Sequence, residues 1–286
     1  MLDKNTEMLI VGLGVIGGGY ATALTNAGYT VRCITKNQED IDYALERGMI
    51  KDGSTSADPV LIGNADLVIC ALYPTTFIEW VKENQKHFKS GAILTDVTGV
   101  KGVIVDTVQE MLRPDVEFIA AHPMAGRERS GVEYSDPAVF RGANYIVTPT
   151  EKNSEGAIRL CKELGEVLGF ARISVLSPEE HDRMIAFLSQ LTHIIAVSLM
   201  NCNSDEGLER YTGDSFRDLT RIAKINDLMW SELFMLNKDA LIEEIDAFSD
   251  ELALFREMLI NDDKDGMRGK MRASTARRSL FDKPKA

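Results

Sequence analysis

Three stretches of this sequence gather residues able to carry hydride and proton transfer. Gly12-Leu13-Gly14-Val15-Ile16-Gly17 has G-x-G-x-x-G spacing, directly after the apolar run Met8–Val11 and directly before a helical pattern, Gly18–Asn26. In that setting Gly12 permits the tight turn, Gly14 lets backbone approach a pyrophosphate, and Gly17 lets helix and strand pack closely. Val15 and Ile16 open the helix, whose unpaired N–H groups and positive dipole end suit phosphate. The bland alternative is a glycine-rich turn with no ligand. The second stretch is His122-Pro123-Met124-Ala125-Gly126-Arg127-Glu128-Arg129-Ser130-Gly131. Histidine's pKa lies near neutrality, so His122 can take the proton of an alcohol while hydride leaves the same carbon. In the third, Ser189 and His193 share a helix face at i, i+4, and Arg217 and Arg221 do the same further on. Asp218 lies three residues before Arg221. A guanidinium steadied by a carboxylate suits a bidentate grip on a substrate carboxylate. Surface ion pairing is the competing reading of that spacing.

The elements that must position these residues can be read from periodicity. Short apolar runs alternate with amphipathic stretches through the first part of the chain, the pattern of a parallel sheet covered by helices. Strands are expected at Met8–Val11, Thr30–Thr35, Leu67–Leu72, Ala92–Thr95, Val116–Ala121, Asn144–Val147 and Ala171–Val175. Helices are expected between most of them, including Thr76–Phe88, Gly102–Leu112 and Ser154–Leu168. At Ser177-Pro178 the character changes. Ser177 suits an N-cap, Pro178 the first helical turn, and Glu180 the capping-box partner. Beyond this point helices alone are expected, with Glu179–Met200 as one long helix and Asp239–Ile260 as another. The expected fold class is therefore α/β: a Rossmann-type parallel-sheet domain over residues 1–176, then an all-helical domain over 177–286. Ligands of open α/β sheets bind beyond the carboxyl ends of the strands. That rule puts His122 where a nicotinamide ring would be reached.

The end of the second strand bears on cofactor choice. An NAD enzyme usually places Asp or Glu there to bond the ribose 2′-hydroxyl. Here Thr35 stands in that place and Lys36 follows. A hydroxyl beside an ammonium suits a 2′-phosphate, so NADP is expected ahead of NAD, with a solvated loop charge as the alternative reading of Lys36.

Composition narrows the remaining classes. A formal net charge of −12 argues against nucleic acid as a partner, because phosphate neutralisation needs a basic face. The tail from Lys264 to Ala286 is the exception, with eight cations and two carboxylates, and reads as a solvated helix and tail. No apolar run is expected to reach the ~20 residues of a membrane span, and the polar residues 1–6 do not form a signal peptide. Cys33, Cys70, Cys161 and Cys202 lie far apart without C-x-x-C spacing, so reduced thiols in a cytoplasmic protein are expected and no metal site. Apolar helices in so small a second domain suggest burial against a second copy, hence a homodimer.

The motifs together resemble one family. G-L-G-V-I-G, D-V-T-G-V-K, H-P-M-A-G-R-E-R-S-G, H-D-R-M-I-A-F-L-S-Q-L-T-H and F-R-D-L-T-R-I-A followed by Met229-Trp230 are similar, in this order, to the prephenate and arogenate dehydrogenases. The resemblance implies oxidative decarboxylation of prephenate to 4-hydroxyphenylpyruvate, with hydride passing to NAD(P), on the route to tyrosine. It implies that His122 is the catalytic histidine at the substrate 4-hydroxyl and that Arg221 holds a substrate carboxylate, with Asp218 ordering the site around it. His193, Ser189 and Trp230 match residues near the substrate pocket, and Glu128 matches the glutamate after the catalytic loop. Arogenate dehydrogenase shares every one of these residues and stays open as an alternative. So does a non-catalytic sensor that binds NAD(P).

Two positions depart from the family pattern. Many members carry serine where this chain has Gly99, and that serine contacts the reacting hydroxyl or the nicotinamide. Thr98 is the neighbouring hydroxyl expected to take over its role. Arg127 stands where others have a smaller residue, and a cation there favours prephenate's keto acid over arogenate's zwitterion.

Overall fold

The computed structural model describes residues 2–126 and 129–282. By packing, the chain divides into one compact unit ending at Lys238 and a second beginning at Asp239.

The first unit is built on a six-stranded parallel sheet. Its elements are β1 (Glu7–Val11), α1 (Val15–Asn26), β2 (Thr30–Ile34), α2 (Gln38–Glu46), β3 (Asp52–Ser54), α3 (Pro59–Asn64), β4 (Leu67–Cys70), α4 (Pro74–Asn84), β5 (Ile93–Asp96), α5 (Gly102–Met111) and β6 (Glu117–Phe118). The strand order is β3-β2-β1-β4-β5-β6. All four residues of β4 are buried, as expected of a central parallel strand covered on both faces. Alternation along β1 sends Met8 and Ile10 into one core and Leu9 and Val11 into the other. The order reverses direction between β1 and β4, which opens a crevice beyond their carboxyl ends. The short edge strand β3 was missed by periodicity, because Asp52-Gly53-Ser54 carries no apolar signal.

One expectation needs correction. Val116–Ala121 is not a single strand of one sheet. After β6 the chain leaves at Ile119 and continues as β7 (Ala120–Pro123) in a second sheet with β8 (Asn144–Thr148) and β9 (Arg172–Val175). There β7 runs antiparallel to β8, and β8 parallel to β9. The switch has a local cause. Ile119 still donates its N–H to Leu94 at 3.0 Å, but the next N–H along that side, Ala121's, is taken by the Asp96 carboxylate at 3.1 Å. Between β8 and β9 lies α6 (Glu155–Val167), capped by the Ser154 hydroxyl and buried along Ala157, Cys161, Leu164 and Gly165.

After Val175 the described residues form helices and turns. α7 (Pro178–Ile185) starts with the expected capping box, Ser177 Oγ accepting from Glu180 N and Glu180 accepting from Ser177 N. A π-helical segment, Ala186–Leu191, carries it into α8 (Thr192–Asn201). Then follow α9 (Asp214–Thr220), a 3-10 turn (Arg221–Ala223) and α10 (Asp227–Leu236). The stretch Pro178–Asn201 corrects a second expectation: it is 24 residues long and contains an 18-residue window of mean hydropathy 1.5, long and apolar enough to cross a membrane by length and composition. It also carries the buried His181, Asp182 and Gln190, hydrogen-bonded to other elements of the unit.

The second unit contains most of α11 (Lys238–Ile260) together with α12 (Lys264–Arg278). Lys270 pairs with Glu251 across these helices at 2.8 Å, and Asp263 caps α12 through Gly266 N.

Candidate active site

The nucleotide crevice is formed where the turns after β1 and β4 meet. Gly12 has φ +94°, and a Cβ there would sit 2.4 Å from the Ala71 carbonyl oxygen. A Cβ at Gly17 would sit 2.0 Å from Gly12 O, so helix α1 can lie against its own turn only with glycine there. A Cβ at Gly14 would meet nothing within 4 Å. Gly14 is therefore bordered by open space, which fits a pyrophosphate running close to backbone. It is the N-cap of α1, contributes no side-chain cap, and the first helical turn holds no acidic residue to compete for an anion. Val15 and Ile16 begin that helix. Gly12 N donates to Ile34 O at 2.8 Å, which brings the end of β2 beside the turn, followed by half-buried Thr35 and exposed Lys36.

His122 lies inside β7, half-buried, paired in register with Ile146. Its placement begins with Ala121. Lys101 Nζ donates to Ala121 O at 2.7 Å while Asp96 Oδ1 accepts from Ala121 N, so both polar groups of that residue are held by one buried ion pair. The His122 ring is then fixed from the other side. Its Nδ1 is 2.9 Å from His181 Nε2, and His181 Nδ1 is 2.7 Å from Asp182 Oδ1. The Asp182 carboxylate accepts in turn from Lys101 N and Gly102 N, each at 2.7 Å, at the start of α5. Those two N–H groups lie at the helix start, where they have no intrahelical partner. The remaining ring nitrogen, His122 Nε2, faces Gly99: a Cβ at that glycine would lie 3.8 Å from it. Burial, with His181 and Lys101 beside it, holds His122 well below the ordinary imidazole pKa, so the ring rests neutral.

Thr98 does not take the role expected of it. It is buried, its hydroxyl faces Asp96 Oδ2 and Val100 O, and Lys101 Nζ donates to it at 3.1 Å. A hydroxyl has one hydrogen, and two acceptors already compete for this one. The correction is that Thr98 belongs to the scaffold of the loop, while Gly99 borders His122 Nε2.

The helical residues form a connected wall. Leu233 on α10 packs against Gly99, and Trp230 sits one turn earlier on the same helix. The Trp230 ring lies 3.7 Å from His193, centroid to centroid, and His193 Nδ1 donates to Ser189 O at 2.8 Å. Ser189 lies in the π-helical segment, and its side chain is half-buried. Gln190 donates to Leu233 O at 3.0 Å, and Asn237 Nδ2 donates to both Asp182 O and Gln190 Oε1 at 2.8 Å, fastening α10 to α7. Asn226 reaches the hydroxyl of Tyr73, which follows β4, at 3.1 Å.

The arginine stretch differs from a plain helix. α9 ends at Thr220 and Arg221 begins a 3-10 turn, so the one-turn spacing of Arg217 and Arg221 is not maintained as α-helix. Arg217 turns to Asp214 at 3.3 Å and Thr212 at 3.0 Å and borders an open groove of about 420 Å³ with Met200 and Phe216. Asp218 and Arg221 are exposed, and the 3-10 turn packs against α8, the helix of His193. Arg127 and Glu128 lie outside the described residues.

Five residues that position the site had no assigned role in the sequence: Asp96, Lys101, His181, Asp182 and Leu233. A carboxylate and an ammonium in one glycine-containing loop, and a His-Asp pair in the first turns of a capped helix, were the available signals.

Comparisons with known proteins match two successive stretches of the chain. Residues 20–174 match the family model described as the nucleotide-binding domain of prephenate dehydrogenase, and residues 177–273 match its dimerization domain. The prephenate dehydrogenase of Bacillus subtilis is 30% identical over 93% of this chain and 74% of its own length. A cyclohexadienyl dehydrogenase of Zymomonas mobilis is 29% identical over 91% of this chain and 90% of its own. Among solved structures, prephenate dehydrogenase from Aquifex aeolicus in complex with hydroxyphenyl propionate and NAD+ superposes with a TM-score of 0.90 at 31% identity, covering 97% of this chain and 98% of that one.

Proposed function

This chain belongs to the prephenate dehydrogenase family, a family of nicotinamide-dependent dehydrogenases, and from that premise we propose that it converts prephenate to 4-hydroxyphenylpyruvate by oxidation coupled to decarboxylation. The observation that carries this reading is His122: one ring nitrogen is held by His181 and the other faces Gly99, whose missing side chain leaves that nitrogen uncovered on this side. A nicotinamide dinucleotide, when bound at the Gly12–Gly17 turn, supplies the hydride acceptor.

The chain's own residues then have four tasks. Gly12, Gly14 and the backbone of Val15, Ile16 and Gly17 hold the pyrophosphate. His122 Nε2 accepts the proton of the ring hydroxyl as hydride leaves the same carbon. Leu233, Trp230 and the loop of Gly99 shield the ring from water, and His193 and Ser189 border the pocket. Arg221, ordered with Asp218, holds a substrate carboxylate. Oxidation places a carbonyl para to the ring carboxylate, and loss of carbon dioxide then sends an electron pair into that carbonyl and makes the ring aromatic. Alignment and charge positioning are the protein's share of the work.

Thr35 and Lys36 support NADP as the better acceptor, since an ammonium beside a hydroxyl can bind a 2′-phosphate. Exposed Ile242, Leu252, Leu254, Leu259 and Ile260 on α11 support a homodimer, which we place in the cytoplasm. Light scattering on the eluting protein tests the dimer.

The deciding experiment is a rate table of prephenate or arogenate with NAD or NADP, on the parent protein and on His122→Asn and Arg221→Ala. Expected are turnover with prephenate, faster with NADP, and a fall in kcat of about 10²–10⁴-fold for His122→Asn. Arg221→Ala raises KM chiefly. Equal rates in parent and His122→Asn would remove the base; turnover of arogenate alone would replace the substrate.

A further inference from the structure

We propose that His181 and Asp182 form a positioning relay that fixes the tautomer of His122, with Asp182 as its charged anchor. The inference rests on the reading of His122 as the base. Its ground is a chain of three side chains with short, directed contacts: Asp182 Oδ1 to His181 Nδ1 at 2.7 Å, and His181 Nε2 to His122 Nδ1 at 2.9 Å. His181 is held at both ring nitrogens, and His122 is held through Nδ1. His181 is fully buried, and Asp182 is held by two backbone N–H groups at the start of α5.

The proton inventory follows from the anchor. An ionised Asp182 can only accept, so His181 carries its hydrogen on Nδ1 and leaves a lone pair on Nε2. That lone pair accepts from His122 Nδ1–H. His122 Nε2 is thereby left bare and aimed at the Gly99 space. Without the carboxylate, His181 can hold its hydrogen on Nε2 instead and donate it to His122 Nδ1. The proton of His122 then moves to Nε2, where it blocks the base.

In the reaction the substrate O–H bond breaks and its proton bonds to His122 Nε2. His122 becomes an imidazolium that still donates from Nδ1 to His181. His181 keeps its own proton, and Asp182 stays ionised and offsets the new charge two links away. The other charged groups around the chain are Lys101 and Asp96, already paired at 2.6 Å. Desolvation lowers the His181 pKa, and the hydrogen bond that His181 donates to Asp182 opposes that fall.

The test compares Asp182→Asn, His181→Leu and His181→Gln with His122→Asn, using prephenate and the better dinucleotide. Readouts are kcat, KM, the pH profile of kcat/KM, and dinucleotide affinity by fluorescence quenching. A relay predicts that Asp182→Asn and His181→Leu lower kcat by about 10²-fold or more, with KM and dinucleotide affinity within about twofold. The acid limb of kcat/KM moves to lower pH in Asp182→Asn, because the imidazolium has lost its counter-charge. His181→Gln, whose amide oxygen can accept from His122 Nδ1–H, recovers at least tenfold over His181→Leu. Unchanged kcat and an unmoved acid limb in Asp182→Asn overturn the relay. If that variant does not fold, equal rates for His181→Leu and His181→Gln overturn it. Loss of rate confined to His122→Asn leaves the base in place and removes the relay; full rate in His122→Asn removes both.

Discussion

Lys101 Nζ lies 2.6 Å from Asp96 Oδ2, with both side chains fully shielded from water, and the pair holds both polar backbone groups of Ala121, the residue before His122. Two buried charges are expensive unless each is well paired and hydrogen-bonded. Here the remaining donors and acceptors are all used: Lys101 also reaches Thr98 Oγ1, and Asp96 also accepts from Thr98 N. The pair thus links the last residue of β5 to the backbone at which β7 begins.

Breaking that pair strands a charge in the core. Lys101→Met is expected to destabilise the fold by roughly 3–5 kcal/mol in urea unfolding. Adding Asp96→Asn to it should recover part of the loss, since the orphaned carboxylate is gone. Additive losses in the double variant would mean that the two side chains do not interact.

Gly99 leaves room beside His122. A Cβ there meets Leu233 at 3.5 Å and His122 Nε2 at 3.8 Å, ordinary contact distances, so both alanine and serine should be accepted with little change in stability. Gly99→Ser brings a hydroxyl within reach of the reacting atoms, and one such hydrogen bond of about 1 kcal/mol predicts a several-fold rise in kcat. Gly99→Ala should not raise it. Identical steady-state rates for the two variants would deny the hydroxyl any role.

Mild acid should lower stability before it lowers rate. His122 and His181 are held below the ordinary imidazole value of 6.5, mainly by burial. His122 therefore stays unprotonated in mild acid, and if it is the base, kcat/KM should hold its plateau below pH 6.5. Stability runs the other way. From about 6.5 down to the lower folded values, the unfolded chain binds protons that the folded chain does not, so unfolding becomes easier as pH falls. Urea melts at pH 8 and pH 5.5 measure the difference, and His181→Gln should make it smaller. A pH-independent midpoint would contradict these shifts.

Three thiols should be inert in the native protein. Burial pushes Cys33 up to about 12 and Cys161 up to about 11, and raises Cys70 as well. Alkylation by iodoacetamide at pH 8, read by peptide mass spectrometry, should leave all three unmodified until denaturant is added. Rapid native labelling of any of them would place it outside the core.

Much of the scaffold was legible because its signals are short-range. A glycine turn, a capping box and an apolar run each act over a few neighbouring residues. Hence the Gly12–Gly17 turn, the Ser177–Glu180 cap and most strands stand where the sequence puts them, within a residue or two. The failures share a cause as well. The split of Val116–Ala121 into β6 and β7 depends on a carboxylate 25 positions away, and β3 is held as an edge strand by its neighbour β2 and has no apolar pattern of its own.

By itself, then, the sequence determined the kind of fold, the nucleotide turn and the candidate base. Tertiary structure decided how that base is held. His122 and His181 are 59 positions apart, and Lys101 and Asp182 are 81 apart. Residue types and local periodicity carry no information about which distant side chains will share a hydrogen bond. That choice is made when α7 packs against the start of α5 and brings a histidine and a carboxylate to the back of the His122 ring. The same packing buries Thr98 and leaves Gly99 facing Nε2, although the two residues are adjacent in the chain.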